Sequence, residues 1–540
     1  MMRTLSVATG LAGSRPEWAK IAGHSHTLRN TSVPIEEAFG HLVEWERRHG
    51  VTAIGLGSPW TSRSGAFYGR CEHEDRDRYF AGLVSDSERE ELLCREDIHA
   101  MIRAANEASG GSTLHYLDNE TPKQRYGHMW HVGFQLQVPA WHDYDQDRRA
   151  SYCDLDPVED PNPLDPRGAH YRRTYSEVTA LQRAAGAISI WAHPTSWWDG
   201  PDGRYYTNIA AAMPPNLYAD GFLDGLVVQG YDPYHRDYQA LWFDLLDRGW
   251  RVPGFSELDL CPCREIRGKG CALFNCVPGM ASHGGDVTLD AIIAAMRAAN
   301  HTMSSGPYLT LSVDGVRQGG SVRSGAGVTH VAVVEAWPAP GQSALARVEL
   351  LGRGGAVLAS VDDFPGGRVT FMFEGDANGG WVAARVFGEH DGDYASKRQQ
   401  AVLHCALTNP VVLDAPHTPH PASVTTHVRL SSDGCEGASL RLVAADGSEL
   451  WRRELPEAGL EFDASPTSRL EIGQPDGAPS RVLPLAAANR RVRDLMDYLA
   501  DGRFRRDWPG LEPGEVPVAA FHLDGFRTAM TELVLSARKA

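Results

Sequence analysis

Several things are scarce in this chain, and each scarcity narrows what it can be. Cysteine is sparse: nine among 540 residues, an odd number, which argues against a disulfide framework and suits a reducing compartment such as the cytoplasm. Cys261 and Cys263 are too closely spaced for a zinc knuckle and read as structural thiols. No stretch approaches the ~20 apolar residues of a membrane span. The apolar run at the N-terminus is broken by Ser6, Thr9 and Gly10, so it does not read as a secretion signal. Positive charge is in deficit, with 52 Lys and Arg against 69 Asp and Glu and a net charge of −17. That balance argues against nucleic acid or an anionic membrane as the main partner, while leaving room for a local basic pocket that holds a small anion. Neither a Gly-x-Ser-x-Gly elbow nor a phosphate-cradling Gly-Lys-Ser/Thr loop occurs.

What remains is a globular composition, 42% hydrophobic and 22% charged, long enough for two to four domains. Over residues 1–305, helix-like and strand-like segments alternate. A capping pair at Thr31-Ser32 and Pro34 open a helix whose stripe is Ile35, Ala38, Phe39, Leu42 and Trp45 or Glu46, stopped by Gly50. Strands follow at 51–56, 187–192, 225–229 and 251–255, with helices at 98–108, 238–248 and 289–299. Repeated β-α units predict a parallel sheet closed as a barrel. Residues 306–415 change to short alternating strands with Gly and Asp turns, the pattern of a β-sandwich. A linker over 414–423 precedes a further β-rich segment, 424–486, and residues 487–540 return to helical spacing as a C-terminal tail.

Chemistry-bearing residues gather at expected strand ends, where α/β barrels place their sites. Residues 20–26 read as a strand, which puts His24 and His26 on one face, able to chelate one cation. The segment 114–128 adds Glu120 and His128, with His115 and His131 as competing imidazoles. His193 lies in Ala192-His193-Pro194, and Glu257 and Asp259 follow the strand at 251–255. Arg251 and Arg264 are alternative partners for Glu257. His142, His170 and His235 read as pocket or surface residues.

These motifs, in this order, resemble the PHP (polymerase and histidinol phosphatase) superfamily, and more closely its carbaryl-hydrolase-like branch. The stretches that carry the likeness are Gly23-His-Ser-His-Thr27, Glu120 with Gly127-His128, Ala192-His-Pro194, residues 245–254 and residues 304–315. The resemblance implies a distorted (β/α)7 barrel, here followed by the sandwich and helical tail. It implies two divalent metal ions (Zn²⁺, Mn²⁺ or Fe²⁺ by donor type). His24, His26 and Glu257 would hold the first, His128 and His193 the second, and Glu120 would bridge them. Asp259 is an alternative ligand to Glu257. Gly57-Ser58-Pro59 stands where the family has Thr-Asp-His, Asp259 where it has a final His, and Asn30 to Ser32 where it has a further His. Together these departures imply that a third metal site is lost.

The implied chemistry is a metal-dependent hydrolase, in which a metal-bridging hydroxide cleaves an ester-type bond of a small organic substrate, whether a phosphoester, a carboxyl ester or a carbamate. Asp259 would protonate the leaving group or orient a ligand His. Trp197 and Trp198, just after His193, would form an apolar wall for the substrate. Residues 140–173 are long enough for a lid, in which Arg172 and Arg173 could grip an anion. The alternative is a catalytically degenerate scaffold that binds a partner; a homo-oligomer is left open.

Overall fold

In the computed structural model, the structure describes residues 3–10, 17–25, 35–57, 95–124, 127–134, 182–192, 197–199, 205–207, 223–230, 235–258, 273–339, 344–388, 405–418, 426–432, 436–444, 447–465, 468–473, 481–484 and 532–536. They divide into two compact units. The first comprises 1–120, 130–134 and 224–421, and the second 121–129, 135–223 and 422–540.

In the first unit, Trp18–Ala22, Ala53–Gly57 and the start of Leu114–Gln124 run parallel, with Ile21 opposite Ala53 and Gly57 opposite Asp118. Ala53–Gly57 is buried along its whole length, as a strand covered on both faces must be. Gly254–Ser256 lies parallel to Gly225–Gln229. The helix Ile35–His49 buries Phe39, Leu42, Trp45 and Glu46, the expected stripe. It ends at Gly50, whose φ of 61° is the left-handed stop that glycine accepts readily. The ammonium of the buried Lys20 donates to His49 O at 2.9 Å, a cation at the negative end of the helix.

The expected (β/α)7 barrel is not what forms. The far edge of Trp18–Ala22 is taken by an antiparallel strand, Phe274–Pro278. That strand continues antiparallel into Thr302–Ser304, Cys405–Thr408, Gly380–Gly388, Leu345–Leu351 and Val357–Asp362. Hydrogen bonds that a closing parallel strand would need are therefore spent on leading the sheet into the next β layer. Among the described residues, 29 strands stand against four α-helices, so β-structure dominates.

A second sheet, ordered Arg3–Gly10, Gly367–Glu374, Thr329–Trp337, Tyr308–Val313 and Val316–Arg317, is antiparallel throughout. Its alternate residues Leu309, Leu311, Ala332, Val334, Val369 and Phe371 share one core with Val348, Leu350, Val382 and Val386 of the first sheet. Two β-rich layers around one core fit the sandwich expected over 306–415.

In the second unit, Thr426–Ser431 pairs antiparallel with Leu460–Ala464 and parallel with Glu532–Ser536. Ser439–Val443 lies between Glu449–Glu454 and Arg469–Gly473, and the last of these pairs with Arg481–Pro484. Val428, Leu430, Leu440, Leu442, Leu470 and Ile472 form their core. The helical tail is also corrected. The part of 487–540 that is described is a strand, Glu532–Ser536, whose short apolar run Leu-Val-Leu takes the open edge of Thr426–Ser431. Among the described residues no helix is long and apolar enough to cross a membrane.

Candidate metal-binding and catalytic site

The Trp18–Ala22 strand stops two residues before His24. His24 sits in a bend with φ 55°, so the alternation that would put His24 and His26 on one strand face does not apply to it. A left-handed conformation at a non-glycine residue persists only where the surroundings impose it. Here they do. Its backbone N–H donates to Asp118 Oδ2 at 2.8 Å, and Gly23 O accepts from Leu258 N–H at 3.0 Å. The next residue, Ser25, donates its hydroxyl to Gly55 O.

The His24 ring is 1% exposed, and its Nδ1 lies 2.6 Å from Oε2 of Glu257, which is fully buried. These residues are 233 positions apart. A carboxylate only accepts hydrogen bonds, so the shared proton sits on Nδ1 and the lone pair of His24 is left on Nε2. Glu257 is held in turn: its N–H donates to Gln229 O at 3.0 Å, and a Cβ on Gly230 would approach Oε1 to 3.1 Å. The short strand before it is fastened through side chains. Ser256 N–H donates to Asn275 Oδ1 at 2.9 Å and Asn275 Nδ2 returns a bond to Ser256 O at 2.8 Å. Gly254 N–H donates to Asn409 Oδ1 at 2.7 Å. The buried His301 donates from Nε2 to Gly254 O at 2.8 Å, and burial lowers its pKa to about 4, so the ring is neutral at pH 7.

Asp118 is the third member of the cluster, and it was not among the expected site residues. Its Oδ2 also accepts from Trp130 Nε1 at 3.0 Å. The Trp130 ring stacks on His24 with centroids 5.9 Å apart, and a Cβ on Gly23 would fall 2.1 Å from that ring. Asp118 fits only because the neighbouring strand reads Gly55-Leu-Gly57: Cβ atoms there would stand 2.0 Å and 2.3 Å from its carboxylate oxygens. Its negative charge, after burial itself, raises the pKa of the buried Tyr116 phenol well above the ordinary value. Two glycines spaced by two, beside a strand with an acid at the same parity, are the sequence signal that would have found Asp118.

Of the other expected residues, Glu120 lies in the strand Leu114–Gln124 and His128 in Gly127–Val132. Trp197 and Trp198 lie in Trp197–Asp199, with Trp198 opposite Tyr206. For these four only the backbone is described. His26, His193 and Asp259 lie outside the described residues, as do His142, His170, Arg172, Arg173, Arg264 and the lid reading of 140–173. The competing imidazole His115 spans Glu46 Oε1 at 2.7 Å and Asn106 Oδ1 at 3.1 Å, tying two helices together. His131 is buried beside Phe134. Arg251 pairs with Asp414 rather than Glu257. Among the described residues no group of three or more His, Cys, Asp or Glu forms a metal cage. The His24–Glu257 contact places a carboxylate behind the imidazole, on Nδ1, which leaves Nε2 as the nitrogen of the type that borderline divalent cations favour.

No family model matches the chain, and no curated protein matches it. Among solved structures it is similar to BcpA, the major pilin subunit of Bacillus cereus, at 12% identity and a TM-score of 0.15, over 33% of this chain and 66% of that one. It is similar to the Bacillus anthracis TIE protein at 6% identity and a TM-score of 0.11, over 34% and 38%. An engineered protein matches at 13% identity and a TM-score of 0.18, over 73% and 93%. The chain thus spans just under two thirds of the pilin it matches. Likenesses this slight carry no argument about fold or function.

Proposed function

We propose that the chain is a metal-dependent hydrolase that cleaves an ester-type bond in a small organic molecule, at a centre built on His24 and Glu257. The observation that carries the reading is their contact: an imidazole and a carboxylate, 233 positions apart and both buried, meet at 2.6 Å. Burying such groups is costly unless they are paired. Holding His24 in a left-handed bend adds about 1–3 kcal/mol. A core that needed only packing would fill this place with apolar side chains.

Each residue has a task. Glu257 fixes the tautomer and aim of the His24 ring, the relation that metal-bound histidines commonly have with a carboxylate. Asp118 clamps the backbone of His24 and the indole of Trp130, so the bend stays put. The donor set that the PHP resemblance implies further includes His26, Glu120, His128 and His193; the reading needs such donors and not a closed barrel. Divalent ions bound there would supply an activated water and stabilise charge that develops on the substrate.

The test is metal content by mass spectrometry on protein purified without added metal, with hydrolysis of nitrophenyl esters, phosphates and phosphodiesters. One to about two equivalents of metal, lost together with activity in His24→Ala and Glu257→Gln, is the expected result. A protein that binds no Zn²⁺, Mn²⁺ or Fe²⁺ and is silent on every substrate class would instead be a binding scaffold.

A further inference from the structure

The sandwich carries a second, separate constellation. The strand Tyr308–Val313 turns into Val316–Arg317 through Asp314 and Gly315, with φ of 49° and 83°, the two-residue hairpin that Asp-Gly favours. The Asp314 carboxylate faces the neighbouring strand. Its Oδ1 accepts from Val331 N–H at 2.8 Å and its Oδ2 lies 2.7 Å from His330 Nδ1. His330 is fully buried, with Phe373 beside its ring at 5.3 Å. Its other nitrogen, Nε2, lies 2.9 Å from the hydroxyl of Ser324, a half-buried residue just after Ser321–Arg323.

The direction of the protons follows from the acceptor at the end. A carboxylate takes a proton from Nδ1, so in the neutral ring Nε2 accepts and the Ser324 hydroxyl donates. That is the polarity of a serine, histidine and aspartate acting together, which is recognised by geometry rather than by order along the chain. Gly375 makes room for it: a Cβ there would stand 2.3 Å from Ser324 Oγ and 3.2 Å from His330 Nε2. Ser324 is followed by Gly325, Ala326 and Gly327, in a turn whose last two residues are exposed. Among the described residues their N–H groups donate no hydrogen bond. The N–H after a nucleophilic serine is a common donor to a developing oxyanion.

We propose that Ser324 is an activated nucleophile that takes the acyl group from small, activated carboxylic esters. Ser324 Oγ bonds to the ester carbonyl carbon as its proton passes to His330 Nε2, with Asp314 remaining ionised beside the imidazolium. The bond from carbon to the leaving oxygen then breaks, and that oxygen receives the proton from Nε2. Water, losing a proton to Nε2, attacks the acyl-serine; the carboxylic acid leaves and Ser324 regains its proton. The position of Ser324 on a surface turn suits compact esters rather than long chains that need a tunnel.

The experiment is labelling of the full chain with a fluorophosphonate probe, read by peptide mass spectrometry, alongside turnover of nitrophenyl acetate. Ser324 is expected to carry the adduct, with and without EDTA, which separates this site from the metal centre. Ser324→Ala removes the adduct, and His330→Gln slows labelling by about 100-fold. A wild-type protein, folded by its melting curve, that acquires no adduct at Ser324 overturns the proposal. So does a labelling rate unchanged in Asp314→Asn and His330→Gln.

Discussion

Gly55→Ala gives the most direct test of how the candidate site is held. The added methyl carbon would stand 2.0 Å from Asp118 Oδ2 and 2.4 Å from its Cγ, well inside contact distance, so the carboxylate must move. The room that Gly57 leaves is already taken by the other carboxylate oxygen, Oδ1, which a Cβ there would approach to 2.3 Å. Displacement breaks the bonds from His24 N–H and Trp130 Nε1. Overpacking alone costs about 1–3 kcal/mol, and loss of a hydrogen bond to a buried charged acceptor about 1.5–3 kcal/mol. The sum, roughly 3–5 kcal/mol, corresponds to a fall of roughly 4–8 °C in the melting midpoint for a unit of this size. Circular dichroism melting and urea titration read it. The cost arises through the Asp118 side chain, whose Cβ too would stand 2.8 Å from the added methyl, so Gly55→Ala placed on Asp118→Gly should add little, leaving a coupling of about 2 kcal/mol or more in the double-mutant cycle. A Gly55→Ala protein that melts with the wild type, or two changes that simply add, would refute this account of the pocket.

Two further outcomes follow from packing and titration. Gly40 sits in the helix Ile35–His49, exposed and with open space where its Cβ would be, so Gly40→Ala should stabilise by about 0.5–1 kcal/mol, seen as a higher urea midpoint. Burial lowers the pKa of His301 from 6.5 to about 4, and burial with the charges of Lys20 and Arg48 does the same to His49. The unfolded chain therefore binds protons that the folded chain does not. Stability is complete above about pH 6.5 and falls toward pH 4, by about 3 kcal/mol for His301; urea midpoints across that range check it, and His301→Phe should flatten the fall.

Much of the local structure was legible. The helix expected from Thr31, Pro34 and Gly50 forms at Ile35–His49, and the strand expected at 225–229 forms at Gly225–Gln229. The sandwich strands follow their alternation closely, as at Gly367–Glu374, where every second residue from Val369 to Phe373 is buried. The barrel was not legible, because β-α rhythm fixes neighbours along the chain and says nothing of the strand that will claim an open edge. Phe274–Pro278 claimed it in the antiparallel sense. His24 and Glu257 were named from the chain, yet their direct contact depends on a bend that no two-residue rhythm describes. Asp118 escaped notice since its pocket is made by the absence of side chains some 60 positions earlier.

Periodicity, caps and turn residues are properties of a few neighbouring positions, and from them came the helices, most strands and the change to β-structure after residue 305. Charge balance and cysteine scarcity likewise needed no coordinates. Which strand lies beside which, where a glycine admits a carboxylate and which hydroxyl meets which imidazole depend on atoms brought together from distant positions. The Ser324, His330 and Asp314 chain exists only because a hairpin, a strand and a turn fold onto one another. Hydrogen-bond polarity arises at contacts of this kind, and contacts are settled by packing.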